Sequence, residues 1–336
     1  MKMLMFDFRD SEKEYFKNNP IHDLEIEFIK ESLNENTILT DEQKENTVIV
    51  SVFINSNLSK KILSQFKNLQ IVATRSTGYN HIDIEHCRKN NITVLNVPDY
   101  GKTSVAQYTM GMIITLVRNV FLASNDIKNK EIDYPNYEGR DLSQLSIGVI
   151  GTGSIGSAVC ELANMFNMKI YAHDIRINEK INNYVEYVCL DELLSKSDII
   201  TLHIPYIKEF YHMISEKEFK KMKDGVYIIN TSRGELIDIE ALYEYVKSGK
   251  VKGVALDVVE CEYLNYEKKQ FKKALDSSTE RCLKNTLIVD KLLKFDNIII
   301  TPHIAYNTKE SIINILDIMF KSIKCHYNGD YTSRII

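Results

Sequence analysis

Residues 146–174 read SIGVIGTGSIGSAVCELANMFNMKIYAHD. In this stretch a short apolar run leads into Gly151-Thr-Gly-Ser-Ile-Gly156, and apolar residues at helical spacing follow the glycines. A second apolar run then ends on Asp174. A lone G-x-G-x-x-G is weak evidence, but a strand, this turn, a helix and a second strand ending in an acid are typical of a dinucleotide-binding unit.

Each polar or glycine position of this unit has a physical role in such a site. Gly151 permits the tight turn, Gly153 lets a pyrophosphate approach the backbone, and Gly156 lets the helix pack closely on the strand. The helix that begins near Ser154 directs free N–H groups at the phosphate. Asp174 accepts hydrogen bonds from ribose hydroxyls and repels a 2′-phosphate, which predicts NAD as the cofactor. A glycine-rich turn without a ligand is the competing interpretation.

The bulk composition is that of an ordinary globular protein of 336 residues, a length typical of about two domains. The net charge of −4 argues against a nucleic-acid or membrane-surface partner. Charged residues follow the first apolar run at once, so we expect no signal peptide, and no run has the length of a membrane span. The cysteines form no CxxC pair, which predicts reduced thiols and a cytoplasmic location. They are Cys87, Cys160, Cys189, Cys261, Cys282 and Cys325.

Short strand and helix patterns alternate along residues 1–100 and again after residue 146, which predicts parallel sheets covered by helices. The final amphipathic helix, near residues 308–327, is expected to return to the first domain. We therefore predict an α/β protein with two Rossmann-like or flavodoxin-like lobes. Residues 1–100 plus 301–336 are predicted to form a substrate-binding domain, and residues 101–300 an inserted NAD-binding domain.

Other segments complete this organisation. The longest apolar helical pattern runs over residues 103–127, and residues 262–290 are predicted to form a charged, mostly helical insertion. The segment Arg75-Ser-Thr-Gly-Tyr-Asn-His-Ile-Asp83 follows a strand pattern, where it forms either an anion-binding nest or a plain turn. The cleft between the two lobes is the expected ligand site.

Three chemically useful side chains follow three different strand patterns of the second half. Arg233 can clamp a carboxylate with two parallel N–H bonds and polarise the adjacent carbonyl. His303 can exchange a proton with the reacting oxygen, because imidazole titrates near neutral pH. Glu262, bonded to the other ring nitrogen, would fix the tautomer. This set suits redox chemistry on an oxo acid and requires no metal ion.

Each of these residues also has an ordinary structural interpretation. Arg233 can be a surface cation, Glu262 stands among other acids, and His303 taken alone reads as a structural histidine. The occurrence of all three at strand ends beside a nucleotide motif favours the catalytic interpretation. His203 is interpreted as a packed residue that lines the cofactor.

Four segments resemble the D-isomer-specific 2-hydroxyacid dehydrogenases, and the similarity covers nearly the whole chain in order. They are Gly151-Thr-Gly-Ser-Ile-Gly156, Thr231-Ser-Arg-Gly234, Ala255-Leu-Asp-Val-Val-Glu-Cys-Glu262 and Thr301-Pro-His-Ile-Ala-Tyr306. Within that family the chain is most similar to the D-lactate dehydrogenases, including the vancomycin-resistance type. The segments around Arg75–Asp83 and Tyr108–Met110, with Tyr306, carry this closer similarity.

The resemblance implies a role for each matching position. Arg233, Glu262 and His303 match the catalytic trio. The positions that match cofactor contacts, together with the motif glycines, are Ser154, Ile155, Asp174, Ile204, Pro205, Thr231, Ser232 and Asp257. The positions on the substrate side are Thr77, Gly78, Tyr100, Arg233 and Tyr306. The helix over residues 103–127 matches the element through which the family forms homodimers.

The implied activity is NAD-dependent, reversible reduction of a 2-oxo acid, with pyruvate and D-lactate as the expected pair. A larger acid, such as 2-oxoisocaproate, hydroxypyruvate or phosphoglycerate, is the nearest alternative, because pocket shape discriminates a methylene by only about 1–3 kcal/mol. An alternative of another class is an NAD-sensing corepressor that keeps the fold as a binding module.

Overall fold

The computed structural model describes residues 1–130, 132–262, 280–329 and 334–336. The chain divides into two compact units, one of residues 1–100 with 307–336 and one of residues 101–306. The chain crosses between them after Tyr100 and again after Tyr306. Both units are built on parallel sheets with helices, so the predicted fold class is confirmed, with the second unit inserted into a discontinuous first unit.

The first unit contains a five-stranded parallel sheet with the order β2-β1-β3-β4-β5, the flavodoxin-like arrangement. Its strands are β1 (Lys2–Met5), β2 (Glu25–Phe28), β3 (Thr47–Val52), β4 (Ile71–Thr74) and β5 (Thr93–Leu95). Its helices are α1 (Lys13–Asn18), α2 (Asp41–Asn46), α3 (Lys60–Leu63), α4 (Ile84–Lys89) and, from the end of the chain, α12 (Lys309–Tyr327). The central strands are Val- and Ile-rich and buried, as expected where helices cover both faces of a sheet.

The second unit contains a seven-stranded parallel sheet with the order β12-β11-β10-β9-β6-β7-β8. Its strands are β6 (Ser146–Ile150), β7 (Lys169–His173), β8 (Glu186–Tyr187), β9 (Ile199–Leu202), β10 (Val226–Asn230), β11 (Val251–Leu256) and β12 (Ile298–Ile300). Its helices are α5 (Lys102–Val117), α6 (Val120–Asn129), α7 (Ser154–Met165), α8 (Leu190–Lys196), α9 (Glu216–Lys221), α10 (Ile239–Lys247) and α11 (Glu280–Leu292). The strand order reverses between β6 and β9. In open α/β sheets such a switch point places a ligand crevice at the carboxyl ends of the strands.

The predicted single helix over residues 103–127 is wrong, because the structure contains two helices, α5 and α6, bent by 61°. Asn119, between them, adopts a left-handed conformation with φ of 52°, and its side-chain amide donates to the Glu138 carbonyl at 3.1 Å. The apolar periodicity runs through the break without glycine or proline, so the pattern did not indicate it. Among the described residues no single helix is long and apolar enough to span a membrane; α5 and α6 reach that length and composition only as a pair.

The prediction that all six cysteines are reduced is also wrong, because Cys261 and Cys282 form a disulfide with a Cα–Cα distance of 5.6 Å. The two residues are 21 positions apart, so their pairing depends on the fold and not on a local motif. The cysteine part of the argument for a cytoplasmic location therefore fails. The predicted charged insertion, residues 262–290, lies partly outside the described residues. Its described end, α11, is helical.

Candidate active site

The predicted catalytic residues follow three strands that are neighbours in the second sheet. Arg233 lies beyond β10, Glu262 beyond β11 and His303 beyond β12, and each of these strands pairs in parallel with the next. The carboxyl ends of parallel strands meet at one edge of a sheet, so the sheet topology delivers these three segments to a common edge.

Glu262 and His303 form the central pair of this edge. The His303 Nδ1 atom lies 2.9 Å from Glu262 Oε2, which makes the ring nitrogen the donor to the carboxylate. The His303 side chain is 22% exposed and the Glu262 side chain is 30% exposed, so both are accessible to a small molecule. This hydrogen bond fixes the tautomer and leaves Nε2 available for proton exchange with a substrate.

The backbone of His303 is held in an uncommon conformation. Its φ is 53°, in the left-handed region that residues other than glycine seldom adopt. The His303 N–H donates to the Asp257 carbonyl at 2.8 Å, which ties the segment after β12 to the end of β11. Non-glycine residues in this region cluster at functional sites, where the surrounding structure fixes them.

Asp257 fixes the backbone around His303. Its fully buried carboxylate accepts hydrogen bonds from Thr301 Oγ1 at 2.6 Å, the Ile304 N–H at 2.9 Å and the Ala305 N–H at 2.8 Å. Burial raises the pKa of Asp257, although the three donors and His303 act in the opposite direction. The carboxylate thus fixes the segment that carries His303. Its predicted role as a cofactor contact stays a prediction.

The segment that carries Arg233 is fixed by its own hydrogen bonds. The Asn230 side-chain amide donates to the Arg233 carbonyl at 2.8 Å, and Asn230 Oδ1 accepts from the Ser232 N–H at 2.9 Å. A Cβ at Gly234 would collide with the backbone of Val259 and Glu260. Because only glycine permits this contact, Gly234 brings the Arg233 segment against the segment that leads to Glu262.

The glycine-rich turn after β6 has the features that hold a dinucleotide phosphate. Gly151 has a φ of 92°, and a Cβ at Gly156 would collide with the Gly151 carbonyl, so both positions require glycine. A Cβ at Gly153 would face open space among the described residues. The helix α7 begins at Ser154, followed by Ile155, and Gly153 has no side chain to cap the first N–H groups. These groups are available to an anion, and the turn therefore fits NAD.

Asp174 follows β7 beside this turn. Its Oδ2 accepts from the Thr152 N–H at 2.6 Å and from Thr152 Oγ1 at 3.1 Å, and its Oδ1 accepts from the Arg176 N–H at 3.1 Å. Burial acts to raise the pKa of Asp174, but these hydrogen bonds outweigh burial and the net shift is downward. The carboxylate is therefore charged and oriented at the position predicted to receive the adenosine ribose.

The segment after β9 borders the glycine-rich turn. The Ile204 side chain and the His203 backbone lie where a Cβ at Gly151 would point. His203 Nε2 lies 2.9 Å from Thr201 Oγ1, and burial lowers the pKa of His203 to about 3. His203 is therefore neutral and packed, in agreement with its interpretation as a non-reacting residue, and Pro205 is exposed beyond it.

The remaining predicted cofactor residues lie beside these segments. Ser232 Oγ donates to the Leu202 carbonyl at 2.8 Å, which links the ends of β10 and β9. Thr231 is buried, and its hydroxyl lies 3.0 Å from Thr109 Oγ1 on α5. Both side chains thus join elements of the second unit at the same strand ends as Arg233.

The substrate-side positions Thr77, Gly78 and Tyr100 belong to the first unit, whereas Arg233 and Tyr306 belong to the second. Thr77 Oγ1 donates to the Val97 carbonyl at 2.9 Å, and the Gly78 carbonyl accepts from Ser76 Oγ at 2.6 Å. The Tyr100 carbonyl accepts from Ser311 Oγ at 3.4 Å. Tyr306 is only 6% exposed.

Arg75, at the start of the predicted nest, is fully buried and holds the end of β1. Its guanidinium donates to the carbonyls of Phe6 at 2.8 Å and Asp7 at 2.9 Å. This cation therefore ties the end of β4, just before Thr77 and Gly78 in the chain, to the end of β1.

Sequence reasoning missed several residues that support the candidate site. Glu260 is buried and paired, and Asn285 and Arg281 of α11 contact it. Glu260 lies in the acidic segment after β11, between Asp257 and Glu262, and no sequence signal distinguished it from them or indicated Asn285. The backbone contact at Gly234 had a signal, since glycine directly follows the candidate arginine.

Comparison with known proteins gives a consistent result. The family model "D-isomer specific 2-hydroxyacid dehydrogenase, NAD binding domain" matches residues 110–305. The aromatic 2-oxoacid reductase of Clostridium sporogenes is 34% identical over 328 residues, which are 96% of each chain. The D-lactate dehydrogenase of Lactiplantibacillus plantarum is 30% identical over 331 residues, again 96% of each chain.

Solved structures agree with these relatives. The D-lactate dehydrogenase from Aquifex aeolicus, solved in complex with NAD and lactic acid, superposes with a TM-score of 0.85 at 34% sequence identity. The superposition covers 99% of this chain and 98% of that one. The similarity therefore extends over both units and includes the described strand-end segments.

Proposed function

The chain belongs to the D-isomer-specific 2-hydroxyacid dehydrogenase family, and on that premise we propose that it reversibly reduces a 2-oxo acid, pyruvate in the first place, to the D-2-hydroxy acid. The observation that carries the proposal is the 2.9 Å hydrogen bond between Glu262 and His303. A carboxylate that orients an imidazole is the arrangement required for proton exchange with a substrate oxygen.

Three side chains divide the work on the substrate. Arg233 binds the substrate carboxylate through two N–H bonds and polarises the neighbouring carbonyl. His303 donates a proton from Nε2 to the carbonyl oxygen as that oxygen becomes a hydroxyl, and it accepts the proton in the reverse direction. Glu262 accepts the hydrogen bond from Nδ1 and holds the ring in its orientation.

The matched domain binds NAD, and NADH, when bound, supplies the hydride that adds to C2 of the oxo acid. The N–H groups at the start of α7 would hold the pyrophosphate of this cofactor, and Asp174 would bind its ribose hydroxyls. The proposed neighbouring contacts come from Ile204, Pro205, Thr231, Ser232 and Asp257. The proposed substrate contacts beside Arg233 are Thr77, Gly78, Tyr100 and Tyr306.

A larger substrate is the second candidate. The similarity to an aromatic 2-oxoacid reductase favours this candidate. That relative matches the chain over almost the same length as the D-lactate dehydrogenases do, so the comparison does not restrict the substrate to pyruvate. The reacting groups of the two substrate classes are the same, so the catalytic trio serves both. A difference of one methylene changes transition-state binding by only about 1–3 kcal/mol, which small changes in pocket shape supply.

We also propose a homodimer formed through α5 and α6. Three side chains of α6 support it, since Val120, Phe121 and Ile127 are 50%, 51% and 66% exposed. Exposed apolar side chains grouped on one helix are typical of an interface. Size-exclusion chromatography with light scattering tests this, and a mass of one chain at micromolar concentration contradicts it.

The proposed reaction is tested by following NADH oxidation with pyruvate, 2-oxoisocaproate, phenylpyruvate, hydroxypyruvate and phosphohydroxypyruvate. We expect turnover with at least one of them, pyruvate first, and a product of D configuration on a chiral column. The same panel with NADPH gives the cofactor preference. Tight NADH binding without turnover of any oxo acid would contradict the proposal and favour the corepressor-like alternative.

A further inference from the structure

The neighbours of Glu262 in the chain are attached to a separate helix, α11. Glu260, two residues earlier, has a side chain only 4% exposed. Its Oε2 accepts from the Asn285 side-chain amide at 2.9 Å, and its Oε1 lies 2.5 Å from the Arg281 guanidinium. Both of these partners belong to α11, and a third neighbour, His212 Nε2, lies 3.5 Å from Oε2. The carboxylate of Glu260 therefore fastens the segment after β11 to that helix.

Cys261 adds a covalent attachment to the same helix. It is bonded to Cys282, in the first turn of α11, so consecutive residues of the segment are anchored to the helix, Glu260 by its contacts with Asn285 and the exposed Arg281 and Cys261 by the disulfide. Cys261 itself is left-handed, with φ of 60°, and turns the chain directly before Glu262. A residue adds at most about 3.6 Å of reach, so an anchor one residue away restricts where the Glu262 carboxylate can lie.

His303 is positioned by a different set of contacts. Asp257 holds the segment from Thr301 to Ala305 through three hydrogen bonds, none of which involves α11. The two halves of the Glu262–His303 pair thus have different direct supports: Asp257, at the end of β11, holds the His303 segment, and α11 holds the Glu262 segment.

We propose that Glu260 and the Cys261–Cys282 disulfide are positioning groups for the reaction, which hold the Glu262 carboxylate within hydrogen-bond distance of His303 by fastening its segment to α11. The inference rests on the proposed role of Glu262 in 2-oxo acid reduction. It assigns a catalytic consequence to Asn285 and Cys282, which lie on a helix outside the trio.

A double-mutant cycle tests the inference, because residues that act through one group are not additive with its removal. We expect Glu262→Gln to lower kcat by about 100-fold. Cys282→Ser or Asn285→Leu alone should lower kcat by about 10-fold, since small misplacement of a catalytic group is costly. In the Glu262→Gln background, neither should lower kcat further, and the KM for NADH should be unchanged in all variants.

Two variants serve as matched controls. Glu240→Gln removes the exposed ion pair between α10 and Lys284 of α11, which does not involve the Glu262 segment. Cys189→Ser removes an exposed free cysteine elsewhere in the second unit. Both should retain the kcat of the unmodified enzyme.

Reduction of the folded wild-type enzyme gives a second measurement that needs no substitution. Dithiothreitol cleaves the S–S bond to two thiols and becomes its own cyclic disulfide. We expect kcat to fall as in Cys282→Ser and to recover on reoxidation with glutathione disulfide, and Cys282→Ser itself to be insensitive to the reagent.

The outcomes separate the inference from the proposed function. Equal losses of kcat in the wild-type and Glu262→Gln backgrounds indicate general damage to the fold and overturn the inference. The inference is also overturned if kcat is unchanged in Cys282→Ser, in Asn285→Leu and in the reduced enzyme while Glu262→Gln is slow. In that case the proposed function still stands. An unchanged kcat in Glu262→Gln overturns the proposed role of that residue and the inference with it.

Discussion

Asp174 and Asp257 each follow a strand of the same parallel sheet, β7 and β11, yet their carboxylates have different surroundings. Asp174 is partly exposed beside the glycine-rich turn, and its hydrogen bonds lower its pKa. Asp257 is fully buried, its carboxylate accepts three hydrogen bonds from residues 301–305, and burial raises its pKa. The first carboxylate is partly exposed beside the glycine-rich turn, whereas the second is covered by the segment that carries His303.

The difference shows that an acid at a strand end has no fixed role. The segment opposite it decides whether the carboxylate remains accessible. Both carboxylates accept from one hydroxyl and two backbone N–H groups, but the donors of Asp174 come from Thr152 and Arg176 and leave it partly exposed. The segment Thr301–Ala305, which donates to Asp257, covers that carboxylate completely. Substitutions at the two aspartates should therefore affect different properties.

The largest effect is expected for Asp257→Asn. The new amide places an NH₂ group against a backbone N–H, so one buried donor loses its acceptor, at a cost of about 1–3 kcal/mol in the free energy of unfolding. The segment that carries His303 also loosens, and kcat should fall by about 100-fold. Urea unfolding and steady-state kinetics measure the two quantities. Wild-type values of both would show that Asp257 does not position His303.

A smaller and more selective effect is expected for Asp174→Ser. Removal of the charge abolishes repulsion of a 2′-phosphate, so the ratio of kcat/KM for NADH to that for NADPH should fall by about 10-fold or more. The free energy of unfolding should change by less than about 1 kcal/mol, because the site is partly exposed. An unchanged cofactor ratio would refute the role assigned to this carboxylate.

The smallest effect is a difference in pH dependence. The pKa of Asp174 is lowered, so its contribution to stability is complete above the ordinary value of 3.8 and is lost as the pH falls through the folded-state value. The pKa of Asp257 is raised, so its contribution is complete below 3.8 and is lost as the pH rises through the folded-state value.

Urea unfolding between about pH 3 and pH 6 measures this difference. Relative to wild type, the destabilisation caused by Asp174→Asn should grow with rising pH, whereas that caused by Asp257→Asn should shrink. Parallel pH profiles for the two variants would contradict the opposite directions of the two pKa shifts.

The sequence predicted the features that depend on local pattern. Apolar runs located the central strands of both sheets, and the glycines with Asp174 located the dinucleotide turn. The order of Arg233, Glu262 and His303 after successive strands was sufficient to predict that their segments lie at one edge of the sheet, because parallel strands align their carboxyl ends. These predictions required no knowledge of side-chain contacts.

Features that depend on contacts distant in the chain were not predicted. The bend at Asn119 follows from a left-handed residue whose side chain bonds to Glu138, and the disulfide joins residues 21 positions apart. Helix α2 was also not predicted, although its signal is local. Its capping box, in which Thr40 and Gln43 exchange hydrogen bonds, is visible in the sequence as T-x-x-Q and was overlooked.

The central claim is that Glu262 and His303 act as one proton-exchanging unit, and the most direct measurement is kcat for 2-oxo acid reduction by His303→Ala, Glu262→Gln and the double variant. We expect about 100-fold or greater losses in each single variant, with the double variant no slower than His303→Ala, because the carboxylate acts only through the ring. A His303→Ala enzyme that retains the wild-type rate, or single losses that multiply in the double variant, would contradict the account.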